Sequence, residues 1–541
     1  MRVLRTCAVL LALAATLSCT AARGAGHDGR SGDDGRPGEG RSAGPRRVAE
    51  LGPYERLLPA PLGAQGGGPG YALAPGTVIR TPVGDREVRR TGERLAGELR
   101  ARSGFPLPVV DGTEGGGVVL RLDRAEDTAG LGEEGYRLET TARAVTLTAR
   151  TPAGLFHAVQ SLRQLLPAPG APAVVPGGRI TDAPRFAYRG ALLDIARHFF
   201  TVEQVEAYVD QLAQYKINTL HLHLTDDQGW RLDIASWPRL AAYGGASEVG
   251  GGPGGAWSKE DYRRLVAYAA ERYVEVVPEI DMPGHTNAAL ASYAELTCDG
   301  KAPARYTGIK VGFSSLCVAA ERTYDFVDDV LREVAELTPG RYLHIGGDEA
   351  HATKPADYAA FMDRAQQVVA RYGKTVVAWH QLAGARPAPG AVLQYWGHDR
   401  TPAADKAALA EAVRRGHRLI LSPADHAYLD MKYDSATGPG LAWAGYVPVR
   451  RAYSWDPGAH LPDVPESAVL GVEAALWTET VATVPDLHHL AFPRALSLAE
   501  LAWSPATSHD WPTHRLRLAA QSRRLTAQGI AFYRSPEVPW E

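Results

Sequence analysis

The sequence predicts an α/β protein in which a (β/α)8 barrel of the TIM type follows a small α+β domain. Eight short β-rich runs alternate with helical segments after Pro184, over about 300 residues, as expected for such a barrel. Polar residues stand at the end of each run, where barrel enzymes carry their active sites. The competing fold, a doubly wound open sheet, is disfavoured because no G-x-G-x-x-G follows any run.

Residues 1–25 have the features of a signal peptide. Two arginines precede an apolar run over residues 7–17, and small residues follow it. This run is too short to cross a bilayer as a mature helix. We therefore expect a secreted protein. The alternative is a cell-surface lipoprotein, which would touch the membrane only if Cys19 is lipidated; Thr16 stands where that signal normally has Leu.

A small α+β domain is predicted over residues 48–180, after a disordered linker over residues 26–47. The linker is rich in Gly, Arg and Asp and has almost no large apolar side chains. The domain mixes a few strands and helices, which favours the α+β class. We expect extended structure over 71–79, a helix over 88–102, strands over 117–122 and twice within 134–150, a helix over 154–167, and a Pro- and Gly-rich connection over 167–178.

The barrel is predicted over residues 184–541. Helices are expected over 202–215 and 259–272, between the first strands. The eight strands are expected to begin at residues 191, 219, 275, 342, 375, 391, 418 and 469.

The bulk composition is that of an ordinary globular protein. Of the 541 residues 45% are apolar and 22% charged, and the net charge is −3, so no basic excess argues for a nucleic-acid partner. Outside the signal only Cys298 and Cys317 remain. In an exported chain such a pair indicates a disulfide, which would contribute about 3 kcal/mol by closing its loop; two buried free thiols are the alternative.

Carboxylates and tryptophans alternate at the predicted strand ends. Because these ends meet at one rim of a barrel, we expect a single site there. For each Trp the alternative is burial in the core, and for Asp226 and Asp227 it is a helix cap or turn. The strand ends carry Arg197 and His198; Asp226 and Asp227; Glu279, Asp281 and His285; Asp348 and Glu349; Trp379 and His380; Trp396; Tyr428 and Asp430; and Trp477 and Glu479.

The stretch LHIGGDEA places two adjacent acids, Asp348 and Glu349, after an apolar run and two glycines. Adjacent carboxylates repel, and burial increases the effect, so one of them tends to keep its proton near neutral pH. A protonated acid beside an ionised partner suits general acid catalysis. A solvated acidic turn at an ordinary strand end is the alternative.

His221 and His223 alternate with leucines, so both should point into the barrel. An H-x-H pair on a barrel strand can bind a metal ion. A metal site of that kind needs further ligands at later strand ends, and only His285 and His380 are found there. We favour histidines that are hydrogen-bonded in the barrel interior, and we expect no metal.

On the basis of these residues, the chain resembles the β-N-acetylhexosaminidases of glycoside hydrolase family 20, and among them the exported bacterial type. The resemblance extends from about residue 48 to the C-terminus and rests on several stretches together. These are EGYRLE, PAGLFHAVQSLRQLLP, YRGALLDIARHFF, INTLHLHLTDDQGWRL, PEIDMPGHT, YLHIGGDEA and LWTET.

The resemblance implies a role for each candidate residue. Glu349 would be the general acid/base, Asp348 would orient the 2-acetamido group of the substrate, and Tyr428 would donate to its carbonyl oxygen. The other implied substrate-binding residues are Arg197, Asp430 and Glu479 for sugar hydroxyls; Trp379, Trp396 and Trp477 for the pocket wall; Trp443 for the rim; and Asp226 and His285 behind the acid.

The implied activity is exo-acting, retaining and substrate-assisted, since family 20 is an exception to the two-carboxylate scheme. It would release terminal N-acetylglucosamine or N-acetylgalactosamine from glycans or chito-oligosaccharides, without a cofactor or metal. Two rival hypotheses stay open at this point: a metal-dependent hydrolase that uses His221 and His223, and an inactive sugar-binding protein. The intact Asp348–Glu349 pair argues against the second rival, because binding alone needs no such acid.

Overall fold

The structure, a computed structural model, describes residues 47–123, 128, 130–166 and 173–541. The predicted signal peptide, Cys19 and nearly all of the predicted linker lie outside these residues. Within them, no helix is both long enough and apolar enough to cross a membrane.

The first part of the described chain is a mixed sheet with helices packed on it. A seven-stranded sheet has the order β1-β9-β6-β7-β5-β3-β4, and β2 pairs with β8 in a separate ribbon. Helices α1 and α2 contact the sheet and each other. The elements are β1 (Gly63–Gly66), β2 (Tyr71–Ala72), β3 (Ile79–Thr81), α1 (Arg86–Ser103), β4 (Val109–Asp111), β5 (Gly117–Leu122), β6 (Tyr136–Thr140), β7 (Ala144–Ala149), α2 (Pro152–Leu165), β8 (Val174–Val175) and β9 (Gly178–Asp182).

Two predictions for this part are wrong in detail. Residues 71–79 are not one extended segment, because a turn at Pro75–Gly76 separates β2 from β3. Proline fixes φ for such a turn and glycine tolerates it. The predicted connection over 167–178 is also shorter, since its described end forms β8 and the start of β9.

The barrel prediction is confirmed: eight parallel strands form a closed barrel, and β17 pairs with β10 to close it. Leu, Val, Ile and Ala dominate its strands, which are buried along nearly their whole length, as expected for parallel strands covered by helices. The strands are β10 (Tyr188–Asp194), β11 (Thr219–His223), β12 (Glu275–Glu279), β13 (Tyr342–His344), β14 (Thr375–Trp379), β15 (Val392–Tyr395), β16 (Arg418–Leu421) and β17 (Val469–Leu476).

Helices cover most of the barrel, but the connection from β14 to β15 contains only a 3-10 turn, His380–Gly384. Prolines and glycines in the rest of this connection disfavour a helix. The other connections and the C-terminal segment carry α3 (Val202–Ala213), α4 (Lys259–Ala270), α5 (Asn287–Ser292), α6 (Glu321–Leu337), α7 (Pro355–Arg371), α8 (Ala403–Arg414), α9 (Ala424–Ala427), α10 (Val449–Tyr453), α11 (Val484–Ala491), α12 (Arg494–Trp503), α13 (Trp511–Ala520) and α14 (Ser522–Ala527).

Buried charges join the small domain to the barrel. Lys216, on the barrel side, donates to Oδ2 of Asp182 at 2.8 Å and to the Tyr136 hydroxyl at 2.9 Å, and all three residues are buried. Trp503, at the end of α12, packs into the apolar core of the small domain and donates to Asp182 at 3.0 Å. A buried charge that is paired in this way is costly to separate from its partner.

Candidate active site

A cavity of about 440 Å³ opens at the carboxyl ends of the barrel strands. Its volume is in the range of small-ligand pockets. Of the predicted site residues, the cavity is lined by Arg197, His285, Asp348, Glu349, Trp396, Tyr428, Asp430, Trp443, Trp477 and Glu479; Ile309, Val311, His398 and Leu441 complete the lining. Asp226 and Trp379 are not part of the lining. The structure places both beneath it, where they are buried.

The two glycines before the acid pair allow a tight turn in front of a third acid. Gly346 and Gly347 have φ of 62° and 98°, in the left-handed region that glycine tolerates. A Cβ on Gly346 would lie 1.7 Å from Oδ1 of Asp281, and that same oxygen accepts a hydrogen bond from Gly347 N at 3.0 Å. The turn ends with Glu349 at φ 43°, a rare conformation for a non-glycine residue that is found mainly at functional sites.

Asp348 and Glu349 lie on the same side of one imidazole ring. Nε2 of His285 is 3.8 Å from Oδ2 of Asp348 and 3.4 Å from Oε2 of Glu349. The Asp348 side chain is 12% exposed and the Glu349 side chain 27%. The buried carboxylate therefore lies deeper in the site, and the more exposed one faces the cavity opening.

Burial raises the pKa of Asp348 to about 6, and the nearby His285 ring opposes this effect. Asp281 contributes to the same cluster, since burial and the neighbouring Asp348 hold the pKa of its carboxyl well above the usual range. The pair of acids predicted from the sequence is thus a group of three. Asp281 stands at the end of the third predicted strand, but no motif or spacing links it to the acid pair.

Asp226 connects three cationic side chains beneath the cavity. Its Oδ2 lies 2.8 Å from Nη2 of Arg197 and 2.8 Å from Nε2 of His223. Its Oδ1 lies 3.2 Å from Nδ1 of His285 and accepts from Asp227 N at 2.6 Å. Burial alone would raise the pKa of Asp226, but Arg197 and His285 hold it below the usual range, so this residue is a carboxylate.

One end of the cavity presents buried polar atoms that have no protein partner. These atoms are Arg197 Nε, Asp430 Oδ1 and Glu479 Oε2, which make no hydrogen bond within the described part of the chain. Burial raises the pKa of Asp430 and of Glu479. Buried polar groups are normally hydrogen-bonded, so this end of the cavity is suited to a ligand with several hydroxyl groups.

Aromatic rings form the remaining walls. Trp477 is 4.9 Å from the His223 ring and lies under the Arg197 guanidinium at 5.0 Å. Trp396 and Tyr428 each meet Trp443 edge-on at 5.8 to 5.9 Å, and Trp443 is 41% exposed at the rim. Trp379 supports Trp477 from below at 5.8 Å. Flat apolar faces of this kind suit the apolar face of a sugar ring.

The two interior histidines are directed at carboxylates. His221 lies 2.8 Å from Glu473 through Nδ1 and 3.2 Å from Glu279 through Nε2. His223 lies 2.6 Å from Glu279 and 2.8 Å from Asp226. These separations are those of hydrogen bonds, which favours the structural interpretation over the metal hypothesis. Residues such as His221, Glu279 and His344 still have the composition of a metal site, so the hypothesis needs an experimental test.

A disulfide-closed loop supplies two cavity residues that the sequence did not indicate. Cys298 and Cys317 are bonded, with Cα atoms 4.8 Å apart, which confirms the predicted disulfide. The enclosed loop carries Ile309 and Val311, which are 47% and 38% exposed although both line the cavity. No motif marks them, because their position depends on the disulfide and on the fold of the loop.

A pocket that receives one sugar ring on its aromatic walls, binds its hydroxyls and presents an acid to its glycosidic oxygen is typical of glycoside hydrolases. The fold and the site define an enzyme of this class. Comparison with known proteins identifies the family within this class of enzymes. The model of the glycosyl hydrolase family 20 catalytic domain matches residues 186–357 and 352–506, and the model of domain 2 of that family matches residues 54–183. The chain belongs to glycosyl hydrolase family 20.

Relatives of known identity cover nearly the whole chain. A β-N-acetylhexosaminidase of Cellulomonas fimi is 42% identical over 475 residues, which are 87% of this chain and 94% of the relative. The β-N-acetylhexosaminidase structure of Streptomyces coelicolor A3(2) is 59% identical, with a TM-score of 0.88, and covers 91% of this chain and 99% of its own. A mutant β-hexosaminidase of Streptomyces plicatus, in complex with the product GlcNAc, has the same identity and TM-score over 91% and 98% of the two chains.

Proposed function

We propose that this enzyme is an exo-acting β-N-acetylhexosaminidase that releases terminal N-acetylglucosamine or N-acetylgalactosamine from the non-reducing ends of glycans or chito-oligosaccharides. The observation that carries the proposal is the end of the cavity where Arg197, Asp430 and Glu479 present buried atoms without a hydrogen-bond partner among the described residues. Because these atoms are buried, we infer that a sugar bound to them has protein rather than solvent beyond it, as exo action requires. The names of the relatives, and the GlcNAc in the Streptomyces plicatus complex, support the choice of sugar.

In the proposed reaction Glu349 donates a proton to the glycosidic oxygen as the bond to the anomeric carbon breaks. The carbonyl oxygen of the substrate's own 2-acetamido group attacks that carbon and forms a cyclic oxazolinium ion. Asp348 accepts the acetamido N–H and stabilises the positive charge, and Tyr428 donates to the carbonyl oxygen. Water, deprotonated by Glu349, then opens the ring, so that two inversions give net retention.

The placement of the two carboxylates supports this scheme. An ordinary retaining glycosidase needs one carboxylate on each side of the scissile bond, about 5–5.5 Å apart. Here one turn carries both acids, and both approach the same atom of His285. Asp348 is the more buried of the two, so it is better placed to bind a substituent of the sugar than to attack the anomeric carbon. An intramolecular attack also gains from proximity, with effective molarities that can reach roughly 10⁵ M.

The following measurements test the proposal. Digestion of a chito-hexamer should release monomer first, and internal fragments that appear before monomer would contradict exo action. The product anomer, followed by NMR, should be β at early times. A thiazoline mimic of the cyclised sugar should inhibit strongly, whereas efficient turnover of a glucoside without the acetamido group would exclude the scheme. Assays with N-acetylglucosaminide and N-acetylgalactosaminide side by side, each with and without a chelator, give the sugar preference and test the metal hypothesis.

We also propose that the enzyme is secreted. The signal-like residues 1–25 and the Cys298–Cys317 disulfide support this, since disulfides persist in oxidising compartments. N-terminal sequencing of the protein recovered from the culture medium would find the cleavage site. Recovery only from the membrane fraction, with loss of that attachment on Cys19→Ala, would instead identify a lipoprotein.

A further inference from the structure

Beneath the cavity, His223 stands between two carboxylates that approach it from different strands. Its Nδ1 lies 2.6 Å from Oε2 of Glu279, and its Nε2 lies 2.8 Å from Oδ2 of Asp226. Both distances require a proton between the two heavy atoms. His223 is fully buried, so a water molecule cannot provide the proton of either contact.

Both carboxyl groups are ionised, and the ring must therefore carry both protons. Burial alone would raise the pKa of Glu279, but His344, His223 and His221 hold it well below the usual range. The pKa of Asp226 is low for the equivalent reason, given its contact with Arg197. Burial alone would lower the pKa of His223, but Glu279 and Asp226 hold it well above 6.5. The ring is then an imidazolium that donates in both directions.

The carboxylate that His223 contacts is the one shared by the sugar-binding arginine and the histidine behind the acid pair. Oδ2 of Asp226 receives both His223 and Arg197, and both oxygens of this carboxylate lie 3.2 Å from Nδ1 of His285. Asp227 N also holds Oδ1 of Asp226 at 2.6 Å. Without the His223 contact, however, Arg197 alone would attract Oδ2, and the carboxylate could turn away from His285. The orientation of Asp226 thus depends on a residue that does not itself line the cavity.

We propose that His223 is a positioning residue of the reaction. As a cation held between Glu279 and Asp226, it fixes Asp226 in the orientation that serves both Arg197 and His285. Its positive charge also favours ionisation of the acids at the cavity floor. This inference rests on the proposed function. It gives His223, the second histidine of the H-x-H pair, a role in the chemistry. The interpretation of both histidines as hydrogen-bonded interior residues includes no such role.

The charged groups around this cation and around the acid it influences are buried, except for Glu349, whose side chain is 27% exposed. Glu279, Asp226 and the Nη1 atom of Arg197, 3.4 Å away, face His223 directly. Asp281 lies close to both His223 and Glu279. Asp348 is faced by His285 and lies beside Glu349 and Asp281. Loss of the His223 charge makes this enclosed group more negative, so the pKa of Asp348 should rise.

The test is the pH dependence of kcat/KM on chitobiose from pH 4.5 to 8 for wild type and His223→Gln. The acidic limb of the wild-type profile reports the ionisation of Asp348. In His223→Gln this limb should move up by about one pH unit, and activity above it should fall at least about tenfold because Asp226 is no longer fixed. A limb that stays at its wild-type position in a folded variant overturns the proposal.

His344→Gln is the matched control. His344 is another enclosed histidine, whose Nδ1 lies 3.0 Å from the other oxygen of Glu279 and accepts from Gly346 N at 3.0 Å. It does not contact Asp226, and burial lowers the pKa of its ring, in contrast to that of His223. Its replacement should leave the acidic limb in place. An equal shift in both variants would mean that any interior histidine has this effect, and would also overturn the proposal.

Two further experiments distinguish the ways in which this test can fail. If His223→Gln does not fold, as judged by thermal melting, His223→Asn takes its place with the same expected shift. In enzyme labelled with ¹⁵N-histidine, the doubly protonated rings that persist at pH 8 should include one whose signals are lost in His223→Gln. The absence of such a ring excludes the clamped cation. A wild type without hexosaminidase activity would refute the proposed function, whereas an active wild type with an unmoved limb in the variant refutes only the role of His223.

Discussion

Nε2 of His285 lies 3.4 Å from Oε2 of Glu349, while Nδ1 of the same ring faces Asp226. The ring therefore connects the proposed acid to the charges beneath the cavity. Burial alone would lower the pKa of His285, but Asp226 and Asp348 hold it well above 6.5, which favours the protonated ring at neutral pH. The protonated ring can hold the Glu349 side chain toward the cavity.

Glu349→Gln should lower kcat/KM on chitobiose by about 10²–10⁴-fold, because general acid catalysis is lost. The loss should be much smaller on an aryl glycoside whose leaving group needs no proton. Both rates are measured by steady-state kinetics. Glu336→Gln, a change at an exposed position of α6, is the control for the amide substitution. A Glu349 variant within tenfold of wild type on chitobiose would require another residue as the acid.

Asp348→Asn should abolish the acidic limb of the pH profile and lower activity at all pH values. With a pKa of about 6, Asp348 is ionised above that pH and protonated below it, and the proposed mechanism needs the ionised form. Wild-type kcat/KM should therefore fall about tenfold per pH unit below pH 6. An unchanged limb in a variant that retains activity would assign it to another group.

The same substitution should stabilise the protein at high pH. A raised pKa in the folded state means that the folded protein binds more protons than the unfolded chain between pH 4 and 6, so wild-type stability falls as the pH rises through this window. Asn imitates the protonated form and avoids this loss. Melting temperatures should show the variant above wild type at pH 8, with the difference gone near pH 3.5. A variant that melts below wild type at pH 8 would contradict this linkage.

Tyr428→Phe should lower kcat by about tenfold to a hundredfold on acetamido substrates, because the donor to the reacting carbonyl oxygen is lost. Burial raises the pKa of Tyr428 well above 10, so its hydroxyl keeps its proton and remains a donor. The control is Tyr395→Phe. Tyr395 is also buried, but it lies outside the cavity lining and its hydroxyl has no partner among the described residues. Equal losses in the two variants would remove the assigned role.

Removing the disulfide with Cys298→Ser/Cys317→Ser should cost about 3 kcal/mol, as expected for a closed loop of this length. The melting temperature should fall accordingly. Because Ile309 and Val311 reach the cavity from this loop, KM for chitobiose should rise more than KM for a small aryl glycoside. Wild type treated with a reductant is the companion measurement. A lower melting temperature with no change in either KM would show that the loop folds correctly without the bond.

The barrel strands could be predicted because they are buried apolar runs, and the structure places them within a few residues of the predicted starts. It could also be predicted that motif residues such as Arg197 and Glu479 lie close together, because the carboxyl ends of all the strands meet at one rim of a barrel. Depth within the site could not be predicted. Trp379 and Trp477 have the same sequence signal, yet only Trp477 lines the cavity. Ile309 and Val311 gave no signal, because their role depends on tertiary position alone.

Asp226 and Asp227 show the same limit at neighbouring positions. The sequence offered a catalytic interpretation and a turn interpretation for the two acids together. The structure separates them: Asp226 contacts Arg197 and His223, whereas Oδ1 of Asp227 accepts from Asn287 N at 2.9 Å and from the Ser314 hydroxyl at 2.5 Å. The direction of each side chain from its backbone decides this, and neither composition nor spacing contains that direction.

The buried contacts of Lys216 and Trp503 with the small domain mean that the barrel cannot be transferred into another protein without that domain. A truncated barrel would expose Trp503 and leave Lys216 without Asp182, at a cost of several kcal/mol for the charge alone. Anyone grafting this catalytic unit onto a carrier or a binding module should therefore transfer residues 47–541 as one piece. Chimeras that recombine the two parts from different parents would need to inherit Asp182, Lys216 and Trp503 together.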